Sequence, residues 1–177
     1  MEPITLFSVG HGNRSIAELL DILQRCGIAT VVDIRANPQS RRHPQFEGDS
    51  LRQAIESSGL VYHWAGRHLG GRRAPRATLR HVALTDDGLR GFADHMDTPE
   101  FARGVSQLRN LAARGPTAML CAERDPAQCH RSLIADWLTL QGVQIVHLLA
   151  PGESRPHLLS PRARRESAEL VYDREHS

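Results

Sequence analysis

The chain contains no lysine; all 22 of its basic side chains are arginine. That removes Schiff-base and ammonium catalysis, and it leaves guanidinium groups, which grip phosphates and carboxylates in two-pronged geometry. Aromatic residues make up only 5% of the sequence, and Tyr62 and Trp64 alone fall near its basic stretch, so a base-stacking platform has little to build on. No apolar run is long enough to cross a membrane. Met1 to Ser8 lacks the basic start and apolar centre of a signal peptide. Cysteine is scarce and odd in number, with three residues, which argues for a reducing compartment over a disulfide framework. The expectation is a cytoplasmic protein without membrane association. Its 177 residues suit one domain with a proper core.

Acidic residues are missing from one region in particular. Between Arg35 and Thr85 stand nine arginines (35, 41, 42, 52, 67, 72, 73, 76 and 80) against Glu47, Asp49 and Glu56, and Ser57 to Thr85 holds no acid at all. Such a patch attracts anions, although a solvated basic face would look the same.

What is present is an alternation of strand and helix signals. Apolar runs at Ile4–Val9, Thr30–Ile34, Leu60–Trp64, Ala118–Leu120 and Val143–Leu149 read as strands. Capping boxes at Ser15–Glu18 and Ser50–Gln53 open two helices, Asp87 can cap a third, and Thr98-Pro99 opens a fourth. Cys26 falls on the apolar side of the first helix and reads as packing. The expected fold is α/β: a single three-layer domain, residues 1–150, with a mostly parallel sheet of about five strands and helices on both faces. Residues 151–177 read as a polar C-terminal extension, packed on the domain or trailing from it, with a peripheral helix over Pro161–Tyr172.

The most chemical stretch runs from Thr117 to Leu138. A buried strand ends at Cys121 and Glu123. Asp125-Pro126 reads as the N-cap and first position of a helix reaching Gln141, with Gln128 placed as in a capping box and Leu133, Ile134, Trp137 and Leu138 facing inward. Cys129, His130 and Arg131 then fall in its first turn, with His130 leaning back toward Cys121. Ligands in parallel sheets bind beyond the carboxyl ends of the strands, and His11, Arg35, Arg67 with His68, and Cys121 with Glu123 each follow a strand.

These residues resemble the family catalogued as domain of unknown function 488. The matching motifs are Ser8-Val9-Gly10-His11-Gly12-Asn13-Arg14-Ser15, Asp33 and Arg35 with Pro38, Ser40 and Arg41, and Tyr62 with Leu69-Gly70-Gly71. Phe92, Met96 and Thr98, then Cys121, Glu123, Pro126 and Cys129-His130-Arg131, complete the set, spanning roughly Leu6 to His147. The family usually places serine where this chain has Gly12, so a hydroxyl there is not essential. The resemblance implies a shared fold and site and assigns no reaction.

The favoured reading is a hydrolase or transferase acting on a phosphate-bearing or nucleotide-like small molecule. Catalysis would fall to Cys121 as nucleophile with Glu123, His130 and His11, and anion binding to Arg14, Arg35, Arg41, Arg67, Cys129 and Arg131. The layout resembles that of cysteine-dependent phosphatases and sulfurtransferases, but Cys121 to Arg131 is longer than their phosphate loop and lacks its glycines. The plainer alternative is that both cysteines pack, His130 is a satisfied core histidine, and Glu123 pairs with Arg131. A second function class is phosphate-backbone binding of nucleic acid by Arg41-Arg42 and Arg72-Arg73 with Arg76, although no helix-turn-helix or finger spacing is present. A metal site from Cys121, Cys129, His130 and His11 matches no common zinc spacing; neither metal nor cofactor is expected. The sequence leaves the oligomeric state open.

Overall fold

A computed structural model of the chain describes residues 3–71, 73–76 and 80–174. Arg72 of the basic patch lies outside the described residues. In chain order, β1 (Thr5–Gly10) is followed by α1 (Ile16–Arg25), β2 (Thr30–Asp33), α2 (Gly48–Ser57), β3 (Val61–Trp64) and the single turn α3 (Gly66–Leu69). Then come α4 (Asp87–His95), α5 (Pro99–Arg114), β4 (Thr117–Cys121), α6 (Arg131–Leu140), β5 (Gln144–Ala150), β6 (Glu153–Pro156), β7 (Ala163–Glu166) and β8 (Glu169–Tyr172).

The main sheet has six strands in the order β3-β2-β4-β1-β5-β6; the first five are parallel, and β6 runs antiparallel on the edge beside β5. Strand alternation sends neighbouring side chains to opposite faces. Val9, Val31, Ala118, Leu120 and Leu148 meet Leu19, Ile22 and Leu23 of α1 and Leu51 and Ile55 of α2. On the other face Leu6, Val32, Met119, Cys121 and Ile145 meet Phe92 of α4, Phe101 and Leu108 of α5, and Ile134 and Leu138 of α6. The result is the three-layer α/β domain that the alternation predicts. Cys26 packs against the α1 side.

Local details differ at the helix starts and in the tail. Residues Ser50–Gln53 do not open α2; it begins two residues earlier, at Gly48, and Ser50 lies inside it. Asp86, not Asp87, caps α4, its carboxylate accepting the Leu89 N–H at 2.9 Å. Thr98 caps α5 as expected. Pro161–Tyr172 is not a helix. It forms the β7–β8 hairpin, whose Leu170, Val171 and Tyr172 are buried, while β6 joins the main sheet. A continuous Leu170-Val171-Tyr172 run, buried along its length, suits a strand better than a surface helix. Among the described residues no helix is long and apolar enough to cross a membrane.

Chain connectivity positions the site. The connection leaving β1 passes over the α1 face to β2, and the one leaving β4 passes over the α6 face to β5. Because β1 and β4 are neighbours, their carboxyl ends part into a crevice, the place where open α/β sheets take ligands.

Candidate thiol site at the sheet edge

The crevice begins where the strand ladder is extended by two bonds, from His11 N–H to the Cys121 carbonyl and from Gly12 N–H to the Ala122 carbonyl, each 2.9 Å. The loop after β4 then crosses the end of β1 so closely that a Cβ on Gly10 would lie 1.8 Å from the Glu123 carbonyl oxygen. Only glycine permits that approach. Beyond it opens a cleft of about 760 Å³, lined by His11, Arg35, Arg41, Arg42, Asp86, Cys121, Glu123, Arg124, Cys129 and His130 among others.

Asp125 does act as a cap, accepting the Ala127 N–H at 3.0 Å, but the helix it opens is a single 3-10 turn, Pro126–Gln128. Cys129 is extended (φ −131°, ψ 147°), and α6 starts afresh at Arg131. The continuous helix expected from Asp125 to Gln141 is therefore interrupted. The break lets the Arg131 side chain, fully buried, drop into the crevice, where four acceptors hold it. Its Nε donates to Ser8 Oγ (3.2 Å), Nη1 to the Glu123 carbonyl (2.6 Å) and Cys121 Sγ (2.7 Å), and Nη2 to the Arg124 carbonyl (3.1 Å). Such charge-assisted bonds in a buried place exceed what one continued helical turn contributes.

The two cysteines meet at this point, Sγ to Sγ 2.6 Å. Cys129 Sγ also accepts the backbone N–H of Arg131 (3.4 Å) and faces His130 Nδ1 (3.5 Å). His130 Nε2 donates to the Leu69 carbonyl at 3.0 Å, which leaves the Nδ1 lone pair toward the sulfur. Its ring rests edge-on against Phe92 and so closely on Gly71 that a Cβ there would lie 2.6 Å from Nδ1. The residue that reaches Cys121 is thus Arg131; His130 serves Cys129 instead. The same surroundings split the two thiols. The hydrogen bond from Cys121 pulls the Cys129 thiol well below its usual range, against burial, with His130 and Arg131 adding to the fall. Burial, together with Cys129, pushes the Cys121 thiol well above it.

One further network borders the cleft, and another lies beneath Arg131. Asp33 and Arg35 form a buried two-pronged ion pair, Nε to Oδ1 2.9 Å and Nη2 to Oδ2 2.7 Å, and Tyr62 donates to the same carboxylate at 2.5 Å. Arg35 Nη1 donates to the Phe46 carbonyl (2.6 Å) and toward His11 Nε2 (3.4 Å). His11 donates from Nδ1 to the Gly12 carbonyl and stacks on Phe46. Burial lowers its pKa to about 4, with Arg35 acting in the same direction, so it is neutral at pH 7. Beneath Arg131, Ser8 Oγ donates to His147 Nδ1, His147 Nε2 to His157 Nδ1 (2.8 Å), and His157 Nε2 to Asp136 (2.7 Å). Tyr172 donates to the other Asp136 oxygen. Each ring has one tautomer consistent with this order, with the carboxylate as final acceptor.

The expected site residues therefore fall into three groups. Cys121, Cys129, His130 and Arg131 come together, and His11, Arg35, Arg41 and Glu123 line the same cleft. Glu123 does not pair with Arg131 through its carboxylate; its carbonyl does that, and the side chain is exposed. Arg14 is buried elsewhere, tying Gly10 and Leu149 carbonyls at the ends of β1 and β5 and pairing with Glu18. Arg67 is exposed on α3 and is not among the cleft-lining residues. The sequence reading missed Ser8, His147, His157, Asp136 and Arg124. Ser8 and His147 are register partners on adjacent strands, a relation with no local signal. His81, Asp94 and Asp97 also lie together, away from this cleft. His81 Nδ1 accepts the Tyr172 N–H, so Nε2 carries the proton and donates to Asp97, an arrangement of hydrogen bonding rather than of cation binding.

No curated protein and no solved structure matches the chain. A family model does, over residues 15–138, and its description is a domain of unknown function, DUF488. The matched span includes Arg35, Cys121, Cys129, His130 and Arg131 and stops short of His11 and His147. With well over half of its length matched, the chain belongs to the DUF488 family.

Proposed function

We propose that the protein is a thiol-dependent transferase or hydrolase acting on a small anionic molecule, with Cys129 as the nucleophile and His130 as the group that takes its proton. The observation that carries this reading is the setting of Cys129 Sγ, held at the wall of an open cleft by the Arg131 N–H, with a second sulfur and the His130 lone pair beside it. A thiolate is the reactive form of cysteine, and a helix start with a neighbouring cation favours it. In this reading the nucleophile is Cys129 in place of the Cys121 expected from sequence, and Cys121, locked onto Arg131, supports its neighbour.

The anionic character of the substrate rests on the rim. Arg14 and Arg131 spend their guanidinium groups on protein acceptors, as does most of Arg35. Arg41 and Arg42 are exposed, line the cleft and have no ion pair among the described residues, and Arg124 is half exposed. Asp86 and Glu123 are the acids facing them, and the Asp86 carboxylate is occupied as a helix cap.

Alkylation by iodoacetamide with peptide mapping tests the proposal. Cys129 should be labelled preferentially near neutral pH, Cys129→Ser should abolish that labelling at a stability cost of about 1 kcal/mol, and inorganic phosphate or a nucleoside monophosphate should protect it. Arg41→Gln with Arg42→Gln should weaken the protection about tenfold and leave stability within about 0.5 kcal/mol of the parent. Equal slow labelling of both cysteines would remove the nucleophile. Polynucleotide binding that falls steeply with salt, with no mononucleotide protection, would favour the phosphate-backbone reading instead.

A further inference from the structure

A nucleophilic Cys129 leaves Cys121 chemically unused, yet a second thiol stands within 2.6 Å of the first. Each sulfur has its own donor. Cys121 Sγ receives the Arg131 guanidinium at 2.7 Å, while Cys129 Sγ receives the Arg131 backbone N–H at 3.4 Å and faces His130 at 3.5 Å. Negative charge can therefore reside on either sulfur without rearranging the backbone. Exchange with a disulfide uses such a pair, a second sulfur ready to displace the first. Cys26, on the α1 face, is not part of this cluster.

We propose that Cys121 and Cys129 form a dithiol–disulfide couple that reduces small disulfides bearing carboxylates, the substrate class that the Arg41, Arg42 and Arg124 rim would hold. The inference rests on Cys129 being the nucleophile. In the first step the Cys129 thiolate attacks one sulfur of the substrate RSSR; a Cys129–SR bond forms, the RS–SR bond breaks, and RS⁻ leaves with the proton that His130 had taken. In the second, Cys121 gives up its proton and attacks Cys129 Sγ while Arg131 carries the developing charge. The Cys121–Cys129 bond forms, the Cys129–SR bond breaks, and the second RS⁻ leaves with the Cys121 proton. The substrate gains two electrons and two protons, and the protein loses the same. Small thiols of the compartment would reverse the oxidation, so a transient pair of this kind suits a reducing environment.

Glutathione disulfide is the probe, read by intact mass and peptide mapping on the full chain. The parent protein should lose two hydrogens in mass and release two equivalents of glutathione, with the new bond mapped to Cys121 and Cys129. Cys121→Ser should stop at a glutathione adduct on Cys129, and Cys121→Ala, which also lacks the thiol, covers the case of a serine variant that folds poorly. The adduct should form about tenfold faster than on an ordinary exposed thiol at the same pH. Three results would overturn the inference: a parent protein that stops at the mixed adduct, a bond mapped to Cys26, or no exchange at all. If Cys129 remains rapidly alkylated by iodoacetamide in those cases, the nucleophile stands and only the couple fails. If alkylation is lost too, both fail.

Discussion

Two polar clusters share the carboxyl edge of the sheet, and they differ in what they leave unfinished. In the Asp33, Arg35 and Tyr62 cluster both carboxylate oxygens and most guanidinium hydrogens are matched at 2.5 to 3.1 Å, and the group is closed. In the other, Arg131 is equally well matched, but two thiols remain with sulfur facing a cleft. A saturated ion pair fixes geometry, whereas a thiol beside a cation at the wall of a cleft is a reagent. The comparison separates buried charge that holds the edge together from buried charge that prepares chemistry, although both lie within a few residues of strand ends.

Breaking the closed cluster should give the largest effect. Arg35→Leu leaves the Asp33 carboxylate buried without its counter-charge, and equilibrium unfolding should show a loss of about 3–5 kcal/mol. A loss below about 1 kcal/mol would mean that the pair is not structural. The thiol cluster should respond more weakly in stability and more strongly in reactivity. Gly71→Ala drives a methyl group toward His130 Nδ1 and should cost about 1–3 kcal/mol, while slowing Cys129 alkylation. Unchanged alkylation would exclude His130 from the thiol's activation.

Acid should distinguish the clusters through His11, which sits between them. Its folded pKa is lowered to about 4 from 6.5, so the unfolded chain binds the extra proton first as pH falls. The stabilising contribution is complete above about pH 6.5 and is lost as pH falls toward 4. His11→Gln should flatten the decline in Tm across that window relative to the parent; identical slopes would show that His11 does not supply it.

The fold was largely legible because its signals are local and repeated. Buried β-branched runs at Thr30–Asp33 and an apolar run at Ala118–Leu120, alternating with capped helices, leave few topologies besides a parallel three-layer sheet. The tail was misread because Leu170 to Tyr172 carries too little pattern to separate a short strand from a helix. Within the site, the clustering of Cys121, Cys129, His130 and Arg131 was legible from strand-end placement. Which partner each found was not, because the interruption at Cys129 arises from bonds that Arg131 makes to Ser8 and the Glu123 carbonyl, residues distant along the chain or lacking any side-chain signal. The Ser8, His147, His157 and Asp136 chain depends on strand register and on the fold-back of residue 157, which no single-segment pattern contains.

The most direct measurement is the pH dependence of iodoacetamide alkylation, resolved for Cys129 and Cys121 separately by peptide mapping. Cys129 should reach its full rate well below the ordinary thiol range and stay flat above it, while Cys121 remains slow through neutral pH, the order set by their opposite surroundings. Two coincident profiles, both rising only as an ordinary thiol ionises, would contradict the assignment of Cys129 as the activated thiol.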